Sequence, residues 1–216
     1  MQSNFKNMVL SLSLIAVFAG LTLASVYTLT KEPIALSKQA KQQNAIREVL
    51  PAFKRLDEAE KVKVATGDSL EMYKAYGNND TFLGAAVETV SHNGYSGDIK
   101  LMVGFDVKGN IINYSVLEQM ETPGLGTKIV DWFRTETRNQ SIIGKNPVKN
   151  NLTVSKDGGE IDAITAATIS SRAFLEAVQN AYDAYAENSD MLKRDGESGA
   201  TETNDNKNDS IQIKQE

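Results

Sequence analysis

Between Met8 and Leu29 the chain runs for 22 residues, MVLSLSLIAVFAGLTLASVYTL, without a charge. As an α-helix such a run spans about 33 Å, the thickness of a bilayer's hydrocarbon core. Lys6 precedes it, and Lys31 and Glu32 follow. A cleaved signal peptide competes with a membrane anchor, with Thr22-Leu23-Ala24 as the cleavage site. Signal peptides carry a shorter apolar stretch, roughly 7–15 residues, so the anchor reading is preferred. A buried core helix would show a polar face. Charge alone orients the span weakly: Lys31, Lys38 and Lys41 would place the C-terminal side in the cytoplasm.

Apolar positions next recur at Ile34, Leu36, Ala40, Ala45, Ile46, Val49 and Leu50. With Pro33 as a start and Pro51 as a stop, they predict an amphipathic stalk helix. From Leu70 the pattern turns to strands: Leu70–Tyr76, Phe82–Ser91, Ile99–Phe105 and Ile111–Gln119, separated by Asn- and Gly-rich turns. The last two strands, around Lys108-Gly109-Asn110, predict an antiparallel hairpin. A short helix is expected over Lys128–Arg134. From Thr168 to Glu187, Phe174, Leu175, Val178, Tyr182 and Tyr185 recur at helical spacing with alanines between them. Beyond it the chain is polar and is expected to be disordered. No internal repeat is visible. The expected organisation is an anchor over 1–30, a stalk and linker over 31–60, an α+β domain over 61–187, and a polar tail over 188–216.

Composition narrows the chemistry. The net charge of -5, with Lys and Arg scattered along the chain, speaks against nucleic acid. The chain has no Cys and one His, His92. That excludes thiolate zinc sites, Fe–S clusters and thiol catalysis, and no metal site is expected. The absence of Cys suits an oxidising compartment.

Two segments carry chemistry. Asp162 to Ser171 (DAITAATISS) places hydroxyls and small residues where the last helix begins. Helix starts offer free N–H groups and positive potential that favour a phosphate. The plain reading is a helix cap on Thr165 or Thr168, and on physics alone that reading leads. The second segment, Glu121-Thr122-Pro123-Gly124-Leu125-Gly126-Thr127, lies between a strand and the short helix. Its glycines permit positive φ and close approach to a ligand. A tight connection is the plain reading here as well. It matches neither a dinucleotide fingerprint nor a P-loop.

Taken together, these segments resemble the FMN-binding domain of the RnfG/NqrC family of membrane-anchored flavoprotein subunits. The family's E-T-P-G-L-G loop stands here as Glu121–Gly126, and its D-x-x-S/T-G-A-T/S-x-S/T segment as Asp162–Ser170. Gly94-Tyr95-Ser96-Gly97 resembles its Gly-Tyr-x-Gly stretch. The one departure is Ala166, where the family has Gly; the extra methyl is costly wherever the position needs positive φ. The resemblance covers most of residues 1–187.

The resemblance implies an anchored α+β protein with an antiparallel sheet and flanking helices. It implies FMN esterified through its phosphate to Thr168 by a flavin transferase that uses FAD. Asp162, Thr165 and Thr168 would be the positions the transferase recognises, while Ala166 and Ala167 leave room for the bulky group to approach the backbone. Glu121, Thr122, Gly124, Leu125, Gly126 and Thr127 would line the ring. Tyr95 and Trp132 are expected as core aromatics, with packing near the ring as the alternative. The resemblance places the domain outside the cytoplasm on the bacterial inner membrane, against the charge argument. It implies an electron-carrying subunit among the other subunits of an Rnf-type complex (ferredoxin:NAD oxidoreductase), not an enzyme by itself. The corresponding subunit of a Na⁺-translocating NADH:quinone reductase is the close alternative. Two readings from other classes stay open: an anchored scaffold without cofactor, and a flavin-dependent reductase. A lone histidine argues against the reductase.

Overall fold

The computed structural model describes residues 5–64, 67 and 69–188; the expected polar tail falls outside the described residues apart from Asn188. Two compact units emerge, one ending at Ala45 and the other beginning at Ile46.

The first element, α1, is a single helix from Phe5 to Val49 with Pro33 inside it. The expected break at Pro33 is therefore absent. A proline removes one hydrogen bond and costs about 3 kcal/mol. Breaking the helix would instead expose four amides and four carbonyls at the new ends. Within the apolar stretch, Thr22, Ser25, Thr28 and Thr30 return their hydroxyls to the carbonyls of Phe18, Leu21, Ala24 and Val26 at 2.8–2.9 Å. The polar atoms are thus satisfied within the helix, as a bilayer requires. The helix is long and apolar enough to cross a membrane, and none of its most apolar window is buried.

The second unit is built on an antiparallel sheet of six strands: β1 (Arg55–Leu56), β2 (Glu60–Lys63), β3 (Ser69–Tyr76), β4 (Phe82–Ser91), β5 (Ile99–Asp106) and β6 (Ile111–Glu118). The order is β1-β3-β4-β5-β6, with β2 also paired to β3. The four long strands lie where the apolar stretches between turn residues predict them. β1 and β2 escape prediction because they are short and, in Glu-Lys-Val-Lys, mostly charged; only Val62 is buried. In the β5–β6 hairpin, Asp106 Oδ1 accepts from the amides of Lys108 and Asn110, and Gly109 takes φ +77°.

The last helix, α2 (Thr168–Asn188), packs across β4 and β5. Ala173, Ala177, Ala181 and Ala184 are fully buried, so the helix approaches closely enough for Thr89 Oγ1 to donate to the Ala177 carbonyl at 2.9 Å. Phe174 stacks on Phe133 with centroids 4.3 Å apart and meets Tyr114 edge-on at 4.8 Å. Tyr185 stacks on Phe105 at 5.2 Å.

The expected helix over Lys128–Arg134 is instead a pair of 3₁₀ turns, Gly126–Val130 and Trp132–Arg134. A seven-residue segment gains little from its own helical hydrogen bonds against the cost of nucleation, so tertiary contacts decide its form. The Tyr114 hydroxyl also satisfies the Ile129 and Val130 carbonyls, at 2.9 and 3.2 Å.

Gly104 faces away from α2 and receives the end of α1: a Cβ there would lie 2.0 Å from the Val49 carbonyl oxygen. Glu48 is held nearby by Arg134 Nη1 at 3.0 Å, Ser115 Oγ at 2.8 Å and, through its carbonyl, Asn113 at 3.1 Å. The outer edge of β6 is occupied in turn. The Ile111 amide donates to Lys145 O, Ile111 O accepts from Gly144, and Arg134 Nη2 donates to Tyr114 O at 2.7 Å.

Candidate functional site

After β6 the chain bends through Gly124, at φ +74°, into the first 3₁₀ turn. Gly124 N–H donates to Thr127 Oγ1 at 3.0 Å and Leu125 N–H to Thr122 O at 3.1 Å, which closes the loop on itself. Glu121, at the loop's start, turns inward and is 4% exposed. Its Oε1 accepts from the Ser96 amide at 3.1 Å, and its Oε2 from Ser170 Oγ at 2.5 Å. A Cβ on Gly126 would sit 2.6 Å from Oε2 and 2.7 Å from Ser170 Oγ, so only glycine fits there.

The turn before α2 is built by its own small residues. Ala167 N–H donates to Ile164 O at 3.0 Å, closing a turn with Ala166 at φ +62°. That is the left-handed region in which glycine is strain-free. The departure from glycine noted in the sequence thus falls on a position whose backbone favours it. Buried Ser171 bolts the turn to the helix: its Oγ accepts from Ile164 N–H and donates to Ala167 O, both at 2.9 Å.

The first helical residue is Thr168. Neither Thr165 nor Thr168 serves as the side-chain cap; Ala167 holds that position and has no acceptor. Among the described residues, no side chain accepts from the amides of Thr168, Ile169 or Ser170. They therefore remain available to an anion. Thr168 is half-buried, and Lys156 Nζ reaches its Oγ1 at 3.5 Å. Next to it, the Arg172 guanidinium makes two 2.7 Å bonds to Asp157 and holds that carboxyl below its ordinary range.

These segments face each other across an open cleft of about 500 Å³. The loop contributes Glu121, Thr122, Leu125 and Gly126, with Tyr95 beside them; the turn and helix contribute Ala166 through Ser170. Gly124, Thr127, Asp162 and Thr165, also expected here, lie outside the lining. Asp162 ties loops together instead, with Oδ2 accepting from the Asn139 amide and Oδ1 from Ser155 Oγ. Tyr95 is 67% exposed and lines the cleft, so the core reading of it fails. Trp132 packs against the core and donates to the Asp162 carbonyl at 2.8 Å. Ile169, Ser170 and Lys156 escaped the sequence reading: no spacing rule pairs Ser170 with a carboxylate 49 positions earlier. A smaller hollow of about 360 Å³ on another side of α2, near Leu152 and Arg172, contains none of the expected residues.

The cleft has the size of a ligand site, roughly 300–1,000 Å³. Its donor set, with uncapped amides, a hydroxyl and an ammonium at one end and apolar Tyr95, Leu125 and Ile169 along it, fits a flat ring joined to a phosphate. The family model for the FMN-binding domain matches residues 94–183. G subunits of ion-translocating oxidoreductase complexes are similar over most of their length. The one from Aliivibrio fischeri is 34% identical over 203 residues, covering 89% of this chain and 96% of that protein. The one from Yersinia pestis is 37% identical over 173 residues, 75% and 80% of the two chains. The one from Haemophilus influenzae is 35% identical over 175 residues, 76% and 82%. With those likenesses, an apolar N-terminal helix and a phosphate-suited cleft, the chain belongs to the family of G subunits of ion-translocating oxidoreductase complexes and carries an FMN-binding domain.

Proposed function

We propose that Thr168 carries FMN as a phosphoester, and that this chain is the covalent-flavin electron carrier of an Rnf-type complex coupling ferredoxin and NAD to ion transport. The observation that carries the reading is the position of Thr168. Its half-buried hydroxyl opens α2, beside three uncapped amides, on the wall of a cleft faced by the Glu121–Gly126 loop.

Bound FMN supplies the exchange of one or two electrons, which no side chain of this protein offers. The chain's own residues hold and shield. Thr168 Oγ fixes the phosphate end. The first-turn amides of α2 and the Lys156 ammonium stabilise its charge. Thr122, Leu125 and Gly126 present backbone and apolar surface to one side of the ring, while Tyr95 and Ile169 shed water from its rim. Asp162 and Thr165 serve the transferase's recognition of the segment, and Gly124 and Thr127 keep the loop's shape. The partners are a flavin transferase during maturation and the other subunits of the complex. The likeness to G subunits of ion-translocating oxidoreductase complexes favours this reading over the NADH:quinone reductase alternative.

The test is co-expression with an active flavin transferase, followed by a denaturing gel viewed under ultraviolet light. A fluorescent band is expected, and is lost in Thr168→Ala. A bare polypeptide mass for the unmutated protein would overturn the covalent attachment, leaving FMN held without a bond or the scaffold reading. The proposed orientation, with the domain outside the cytoplasm, is testable because the chain has no Cys. Ala59→Cys, at an exposed position, is expected to react with an impermeant maleimide once the outer membrane is opened. Labelling only after cell lysis would reverse the topology.

A further inference from the structure

Glu121 stands apart from the other carboxylates. It is 4% exposed and lines the cleft, and no Lys or Arg pairs with it among the described residues. A buried carboxylate without a cation is expensive to keep, and a side chain kept at that expense needs a task. Its two oxygens reach two segments that are not otherwise neighbours in sequence. Oε1 takes the amide of Ser96, in the loop between β4 and β5. Oε2 takes the hydroxyl of Ser170, two residues into α2 from Thr168. The backbone around it is cut back to make room. A Cβ on Gly94 would lie 2.8 Å from Oε1, and one on Gly126 2.6 Å from Oε2.

We propose that Glu121 is the positioning residue of the acceptor site: its carboxylate bridges Ser96 and Ser170, and so holds the first turn of α2, with the Thr168 hydroxyl, in register with the glycine loop. The inference rests on Thr168 being the attachment point. It assigns Glu121 a bridging role in place of direct contact with the ring. The bridge matters most at this end of α2, because the turn that precedes Thr168 already carries a left-handed Ala166 and no side-chain cap.

The bridge, not the charge, is what the site needs, and glutamine separates the two. The amide side chain of Glu121→Gln would keep an oxygen for the Ser96 N–H and offer an N–H to Ser170 Oγ, which can reverse its role. The variants are Glu121→Gln, Glu121→Ala and Ser170→Ala, each in the full chain in detergent. The first readout is the rate of flavin attachment by purified transferase, followed by intact mass. The second is hydrogen exchange of the Ser171 and Arg172 amides in the unmodified protein, against the Ala181 and Tyr185 amides of the same helix.

Glu121→Gln is expected to stay within about twofold of the unmutated protein on both. Ser170→Ala and Glu121→Ala are expected to attach flavin about tenfold more slowly and to exchange faster at Ser171 and Arg172 alone, the weight of one buried hydrogen bond whose partner is left unsatisfied. If Glu121→Ala fails to fold, Ser170→Ala carries the test by itself. Normal attachment or normal exchange in Ser170→Ala overturns the proposal, as does Glu121→Gln behaving like an alanine variant. An unmutated protein that takes no flavin from an active transferase would sink the attachment reading instead, while the exchange experiment would still judge the bridge.

Discussion

Replacing Ala166 with glycine is expected to make the protein more stable, although glycine ordinarily weakens a folded chain. Ala166 sits at φ +62°, where an L-residue's Cβ crowds the following carbonyl at a cost of roughly 1–2 kcal/mol. Glycine removes that strain but gives the unfolded chain more freedom, worth about 0.4–1 kcal/mol in the opposite direction. At mid-range the difference is a net gain of about 0.8 kcal/mol. Ala166 is exposed, so losing its methyl leaves no cavity to offset the gain. For a domain of this size the gain corresponds to a rise in Tm of about 2–3 °C. Thermal unfolding of the full chain in detergent, followed by near-ultraviolet circular dichroism, would measure it. Ala173→Gly is the counterpart: the residue is fully buried inside α2, and a loss of about 1 kcal/mol or more is expected. An Ala166→Gly protein that melts at or below the temperature of the parent would refute the reasoning, since the left-handed turn would then carry no strain.

Three further outcomes follow from the same structure. Gly126→Ala is expected to cost about 1–3 kcal/mol and to abolish flavin attachment, because its methyl would lie 2.6–2.7 Å from Glu121 and Ser170; denaturant unfolding and intact mass would check both. Gly104→Ala is expected to expel the end of α1 from the sheet, its Cβ lying 2.0 Å from Val49 O; the signature is faster exchange at the Arg47, Glu48 and Val49 amides. Burial raises the Tyr114 hydroxyl from 10.0 to about 12, so the folded state favours the neutral phenol. The stability this adds is complete below pH 10 and is lost as pH rises to about 12. Tyr114→Phe should shrink that alkaline drop without abolishing it, because burial also raises the hydroxyls of Tyr73, Tyr76 and Tyr182; a drop of unchanged size would refute the assignment to Tyr114.

The long elements were legible from apolar runs set between turn residues. Phe82–Ser91 and Ile99–Asp106 are such runs and are mostly buried, and Phe174, Val178 and Tyr185 repeat at helical spacing against a continuous core. Where tertiary bonds outvoted local preference, the sequence misled. Pro33 is carried inside a helix, and Tyr114 draws the carbonyls of residues 129 and 130 out of α-helical pairing. The two chemical segments were visible as letters, yet their meeting was not. Nothing local announces that Glu121 will point inward to a serine at the start of the last helix, or that Tyr95 will be left on the surface beside it. Asp162 shows the reverse: a residue expected at the cleft spends both carboxylate oxygens on loops behind it.

A sheet that ends in a bare strand invites a second molecule to continue it. Here the last strand is already answered along its rim, by the Gly144–Lys145 backbone at Ile111 and by the Arg134 guanidinium at Tyr114. A neighbouring molecule must first evict those occupants before it can zip on. Copies of this protein packed side by side are thereby hindered from joining through that strand.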